Sequence, residues 1–138
     1  MQPKVLCALL AAAFALSACN KKAETSAEVQ RDVAKAEADA HRDVADARAD
    51  VKEANADADK DVAKAITDHD EDAVAKAAHD ANETADQGKS KIMIAQAEAD
   101  HKVAVEKCEA LSGAPQKECK DEADRTLEQK KDSAKANQ

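Results

Sequence analysis

Two cysteines near the C-terminus have a spacing that suits a disulfide bond. Cys108 lies five residues before Gly113, and Cys119 lies four residues after Pro115. Glycine suits the position after a helix end and proline the first turn of the next helix, so both cysteines fall about one turn from a predicted bend. In an oxidising compartment the simplest chemistry for them is a disulfide that staples this bend. A metal site would need more ligands than His101, seven residues from Cys108, and a redox pair is more often spaced Cys-x-x-Cys.

The other residues with metal or catalytic chemistry are scattered along the chain. The histidines share neither a helix face nor the i,i+4 spacing of a zinc site; they are His41, His69, His79 and His101. The acidic run from Asp68 to Asp72 could attract a divalent cation loosely, but it lacks the glycine and the ordered oxygen spacing of a calcium loop. No phosphate loop, nucleophile elbow or paired-carboxylate pocket is visible. The sequence therefore predicts no catalytic residue, no metal and no cofactor.

The N-terminus has the pattern of an export signal. One positive charge, Lys4, precedes an apolar run from Val5 to Leu16, whose 12 residues are fewer than the roughly 20 that a membrane-spanning helix needs. The next residues, Leu16-Ser17-Ala18-Cys19, resemble the lipobox of bacterial lipoproteins. That resemblance implies that residues 1–18 are removed and that the thiol of Cys19 is lipidated. An aspartate after the cysteine can retain such proteins in the inner membrane, and Asn20 at that position implies the outer membrane, facing the periplasm.

The mature chain has too little apolar material for a compact core. The only aromatic residue, Phe14, lies in the signal, and residues 19–138 contain 29 alanines but only 14 larger aliphatic side chains. Each large buried side chain contributes roughly 1.5 to 3 kcal/mol, so an elongated or disordered chain is expected instead of a globular one. Removal of Lys4 changes the net charge from −8 to −9, with acids and bases interspersed, which argues against a nucleic-acid partner.

A line of valines runs through the segment from Lys21 to Gln87, which has no glycine or proline. It comprises Val33, Val44, Val51 and Val62, separated by 11, 7 and 11 residues. At about 100° per residue these four stay within about 20° of one line on a helix. Such a stripe could be the seam of an alanine-rich coiled coil with a second copy of the chain. It could also belong to a single solvated helix supported by i,i+3 ion pairs, or to a chain that is disordered in isolation. The stripe drifts after Ile66, and 67–72 is predicted to be a weak point.

The C-terminal third is predicted to form a helical hairpin. Residues 82–90, around Gly88, are interpreted as a boundary, followed by a helix over 91–111 and another over 117–136. Together the patterns predict an all-α protein in which an elongated alanine-rich helix precedes a disulfide-stapled hairpin. The expected divisions are a signal peptide at 1–18, the anchor and long helix at 19–87, and the hairpin at 88–138.

The lipobox followed by an alanine-rich helix resembles the murein lipoprotein class, whose helices associate in the periplasm. Members of that class that join peptidoglycan do so through a C-terminal lysine, whereas this chain ends in Lys135-Ala136-Asn137-Gln138. Residues 107–113 with Cys119 resemble the C-terminal signature of alanine-rich proteobacterial envelope proteins. The 11-residue units at 31–41 and 42–52 are similar to those of late-embryogenesis-abundant proteins, which implies a stress-protective alternative.

These observations favour a non-enzymatic, lipid-anchored structural or adaptor protein of the bacterial envelope. The alternatives are a hydrophilic stress protectant and an anchored chaperone or inhibitor of an envelope protein. The expected partners are the membrane through Cys19, a second copy through the valine stripe, and an envelope protein or cell-wall polymer. A continuous helix over 21–87 would be about 100 Å long and would hold the hairpin far from the membrane.

Overall fold

The computed structural model describes residues 23–136 and places them in three helices. These are α1 (Ser26–Thr67), α2 (Glu71–Cys108) and α3 (Ala114–Lys135). The described part of the chain contains no strand, and the prediction of an all-α fold is confirmed. None of its helices has a stretch apolar enough to span a bilayer. The predicted signal and Cys19 lie outside the described residues.

Each helix begins at residues whose chemistry suits a helix start. The N–H of Glu28 donates to the Thr25 hydroxyl oxygen at 3.4 Å, while the Glu28 carboxylate accepts from the Thr25 N–H at 2.9 Å, which together make a capping box before α1. The Asp70 carboxylate accepts from the Ala73 N–H at 3.0 Å at the start of α2. α3 follows Gly113, whose φ of 67° is readily adopted by glycine.

The single long helix expected up to Gln87 is wrong, because α1 ends at Thr67 and the chain turns back on itself. His69 has a φ of 53°, in the left-handed region that histidine enters more often than most residues, and the Asp70 N–H donates to the carbonyl of Ala65 at 3.4 Å. The weak point predicted at 67–72 is therefore the place where the helix breaks. Threonine, aspartate and histidine are poor helix formers, so little helical propensity opposes the turn.

The valine stripe forms a seam within the chain. α1 and α2 run antiparallel: Asp43 forms an ion pair with Lys102, and at the open end the Glu24 N–H donates to the Glu109 carbonyl at 3.1 Å. Val44 and Val51 are buried and Val33 and Val62 are half-buried. A second copy using this stripe would have to displace α2 at the two buried valines.

Small side chains allow α1 and α2 to lie close together. One buried cluster consists of Ala40, Val44 and Ala99, with Ala95 and Val103 packed against it. Gly88 is buried inside α2, so the boundary expected around it at 82–90 is wrong. A Cβ atom at Gly88 would lie 2.6 Å from Cγ1 of Val51, closer than two carbons can approach. Gly88 is thus a point where α2 lies against α1 too closely for a larger residue.

α3 packs antiparallel to the C-terminal half of α2. Two ion pairs show the direction, since Lys120 meets Glu109 near the bend and Lys130 meets Asp100 at 2.7 Å, farther along α3 and earlier in α2. α1 and α3 have no Cα atoms within 8 Å of one another, so both are held by α2. The hairpin predicted at 88–138 thus shares its first helix with the segment predicted at 19–87. The molecule has a three-helix part and a two-helix part that ends at the turn of His69.

Candidate functional site

The disulfide predicted from spacing is present between Cys108 and Cys119. Their Cα atoms are 5.7 Å apart, within the ordinary range for a disulfide, and Cys108 is only 1% exposed. The bond joins the last residue of α2 to the first turns of α3. It therefore closes the bend at Gly113, as the positions of glycine and proline indicate.

Glu109 connects three parts of the chain at the disulfide end. Its carboxylate accepts from the side-chain amide of Gln116 at 2.7 Å and forms an ion pair with Lys120 of α3. Its backbone carbonyl accepts the Glu24 N–H that precedes α1. The beginning of the described chain and the disulfide bend consequently lie at the same end of the molecule.

The surroundings of Glu24, at the same end, disfavour its negative charge. Its Oε2 atom is buried and has no hydrogen-bond partner within the described residues. Burial raises the pKa of Glu24, and four neighbouring carboxylates raise it further; these are Asp32, Glu109, Glu106 and Glu28. The ionised form of Glu24 therefore works against the contact between the start of α1 and the end of α2.

Replacing Glu24 with glutamine should make the protein slightly more stable at neutral pH. Because the folded-state pKa of Glu24 is raised, its charge costs stability above that pKa, and the cost disappears at pH values where the carboxyl is protonated in both states. Thermal unfolding of Glu24→Gln and wild type should thus differ at pH 7 and converge below pH 4. Glu37→Gln, which changes an exposed carboxylate of α1, is the matched control. A stabilisation that is as large at pH 3 as at pH 7 would contradict this explanation.

The other end of the molecule carries most of the negative charge. Residues 53–87 contain eleven aspartates and glutamates but only three lysines, a net charge of −8, against −9 for the whole chain from Cys19 onward. We call residues 53–87 the acidic end. Among its carboxylates, those within 4.0 Å of a basic group in the described structure are Asp57, Asp80 and Asp86. The sequence gives little signal of this concentration of charge, because acids and bases alternate on a short scale throughout.

A groove of about 600 Å³ follows the acidic end between α1 and α2. Alanines make up much of its lining, and they are Ala54, Ala58, Ala65, Ala73, Ala77 and Ala81. Exposed charged side chains stand beside them, and these are the carboxylates Asp57, Asp61, Asp68 and Asp80 with the lysines Lys64 and Lys76. The groove is thus apolar along its floor, and its sides carry an excess of two negative charges.

One group of side chains in the acidic end has the donor types of a metal site. Ligand atoms of His79, Asp80 and Glu83 lie within 4.8 Å of one another, and all three residues are exposed. His79 and Glu83 have the i,i+4 spacing of a zinc-binding pair, although no two histidines of the chain have it. Exposed acidic groups often lie this close without an ion, and the other three histidines do not belong to this group. His101 instead contacts Asp124 of α3, with Nε2 at 2.7 Å from Oδ1.

Comparison with models of protein families, with curated proteins and with solved structures gives no match for this chain. The likeness to the murein lipoprotein class and to late-embryogenesis-abundant proteins therefore stays an expectation from the sequence.

Proposed function

We propose that the protein is a lipid-anchored, non-enzymatic adaptor or structural element of the bacterial cell envelope, attached to the outer membrane through Cys19 and facing the periplasm. The observation that carries this proposal is the separation of the two ends of the hairpin. The hydrogen bond from Glu24 to Glu109 keeps the start of α1, close in sequence to Cys19, beside the disulfide bend. The acidic end and its turn lie at the opposite end of α1.

The length of α1 determines how far the acidic end can reach. Its 42 residues, at 1.5 Å per residue, give a helix of about 63 Å. With Cys19 held in a membrane, the turn at His69 would be presented about this far from the disulfide bend. The expected reach of about 100 Å is therefore too long, and the element presented is the acidic end instead of the stapled hairpin.

The open shape of the grooves supports a binding role over catalysis. An active site needs walls that exclude water and hold reacting groups in place. The groove of the acidic end is floored by alanines and flanked by exposed carboxylates. Such a surface is suited to contact with another macromolecule.

A hydrophilic stress protectant is the second candidate function. The small size of the buried side chains favours it, since most of them are alanines. Circular dichroism of the full chain separates the two proposals. A helical spectrum in dilute buffer supports the adaptor, whereas a coil that becomes helical only on drying supports the protectant.

Replacing Cys19 with serine should abolish lipidation, because the Cys19 thiol is the only acceptor that the lipobox provides. Stable anchoring needs more than one acyl chain, so Cys19→Ser protein should leave the membrane fraction or accumulate as uncleaved precursor. Intact-mass analysis and membrane fractionation measure the two effects. The matched control is Ser17→Ala, which leaves the thiol in place. Wild-type protein that carries no added lipid would contradict the anchored part of the proposal.

A further inference from the structure

We propose that the acidic end binds a basic helical segment of a partner protein, which lies along the groove between α1 and α2. This inference deepens the proposed adaptor function by naming the surface and the kind of partner. It rests on that function for its biological setting. Charge, shape and packing define the surface itself.

The negative charge of the acidic end indicates that the partner is positively charged. Residues 53–87 contain eleven carboxylates and three lysines, whereas the rest of the chain from Cys19 onward has a net charge of only −1. Unscreened carboxylates on two adjacent helices repel one another and concentrate negative potential at one end of the molecule. A partner rich in lysine or arginine would relieve this repulsion and would be steered to this end.

The shape of the groove sets the form of the partner. Its floor consists of alanines at helical spacing on both α1 and α2, so a third helix could approach the pair closely. Four carboxylates, among them Asp61 and Asp80, line the sides with only two lysines, and long basic side chains from a helix would reach them. Ile66, which is 55% exposed, adds a large apolar side chain at the same end. An extended basic peptide would match the charge but would leave the length of the alanine floor uncovered.

The C-terminal half of α2 already holds a helix through contacts of the same kind, although α3 packs on α2 alone and not between α1 and α2. α3 lies on α2 with Ala123 and Ala134 buried, and its lysines meet carboxylates of the α2 side. The three pairs are Lys120 with Glu109, Lys130 with Asp100, and Lys131 with Glu98. α3 ends at Lys135, four residues after the lysine that meets Glu98, so the acidic end has no third helix within the described residues. A partner helix with the same pattern of alanines and lysines could make contacts of this kind at the acidic end.

A synthetic helical peptide tests this proposal with the purified full chain in a non-ionic detergent. The probe is a fluorescent peptide of 22 residues with alanine and leucine on one face and lysines on both sides of that face. We expect saturable binding, measured by fluorescence anisotropy, that weakens as salt is added. The variant Asp57→Asn, Asp61→Asn, Asp80→Asn should weaken binding by about tenfold. The matched control Asp46→Asn, Glu118→Gln, Glu128→Gln removes the same charge elsewhere and should change binding by less than about twofold.

Two further measurements separate groove binding from general attraction between opposite charges. Ala77→Gln places a long side chain in the groove floor without removing a charge, and this variant should also bind the peptide more weakly. If the Ala77→Gln protein loses its helical spectrum, Ala81→Gln is used in its place. A proline-interrupted peptide of the same composition should bind at least about tenfold more weakly than the helical probe. Equal binding of both peptides, equal effects of the two charge variants, or no effect of the groove variants would overturn the proposal. None of these results bears on the lipid anchor, which Cys19→Ser tests. The proposed anchor and the proposed peptide groove can therefore fail independently.

Discussion

Replacing Gly88 with valine should lower the free energy of unfolding by about 2 to 3 kcal/mol. A Cβ at this position would already lie 2.6 Å from Cγ1 of Val51, and valine adds two further methyl groups at this contact between α1 and α2. Valine has a better intrinsic helix propensity than glycine, so a loss of stability must come from the contact with α1. Chemical denaturation followed by circular dichroism measures the change.

The partner of Gly88 provides the control for this prediction. Val51→Ala in the same chain removes the methyl groups that Gly88→Val would strike, so the double variant should recover most of the lost stability. Ala75→Val introduces the same side chain at an exposed position of α2 and should cost only about 0.6 kcal/mol. If Gly88→Val is as stable as Ala75→Val, the two helices do not approach as closely as the structure shows.

Removing the disulfide should cost about 3 kcal/mol and should act mainly on α3. The bond closes a loop whose ends are 11 residues apart in sequence, for which the chain-entropy model gives this magnitude. α3 contacts only α2 among the described helices and buries few side chains, chiefly Ala123 and Ala134. We therefore expect reduction to increase the rate of amide hydrogen exchange in α3 by about a hundredfold, while the amides of α1 change little.

The variant Cys108→Ala, Cys119→Ala controls for the effect of the reductant. It should reproduce the exchange pattern of the reduced wild type and should not respond to reductant itself. Alanine is preferred to serine at position 108 because this residue is almost fully buried, and an unpaired hydroxyl would add a cost of its own. Protection of α3 that survives reduction would show that its packing, and not the disulfide, holds it on α2.

The features that the sequence predicts correctly depend on residues close together in the chain. The helical content follows from alanine-rich composition, the bend between Cys108 and Cys119 from Gly113 and Pro115, and the weak point from the poor helix formers around Asp68. Each of these signals acts within a few residues, where propensity and capping decide the backbone.

The features that the sequence did not predict depend on distant partners. The sequence alone predicts a boundary at Gly88, because an isolated glycine has the same appearance at a helix end and at a close contact between helices. Its partner Val51 is 37 residues earlier, and only the fold-back at His69 brings the two together. The groove of the acidic end arises from the same fold-back, since its floor comes from two helices. Cys19 lies outside the described residues, so lipidation stays a prediction.

The turn at His69 also determines how the hairpin can assemble during folding. Contacts between α1 and α2 join residues that are progressively farther apart in sequence, from Ala65 with Asp70 at the turn to Asp43 with Lys102 and finally Glu24 with Glu109. Because closing a short loop costs less entropy than closing a long one, pairing is fastest if it starts at the turn and zips toward the termini. The acidic end would then form first, and the contact between Glu24 and Glu109 last.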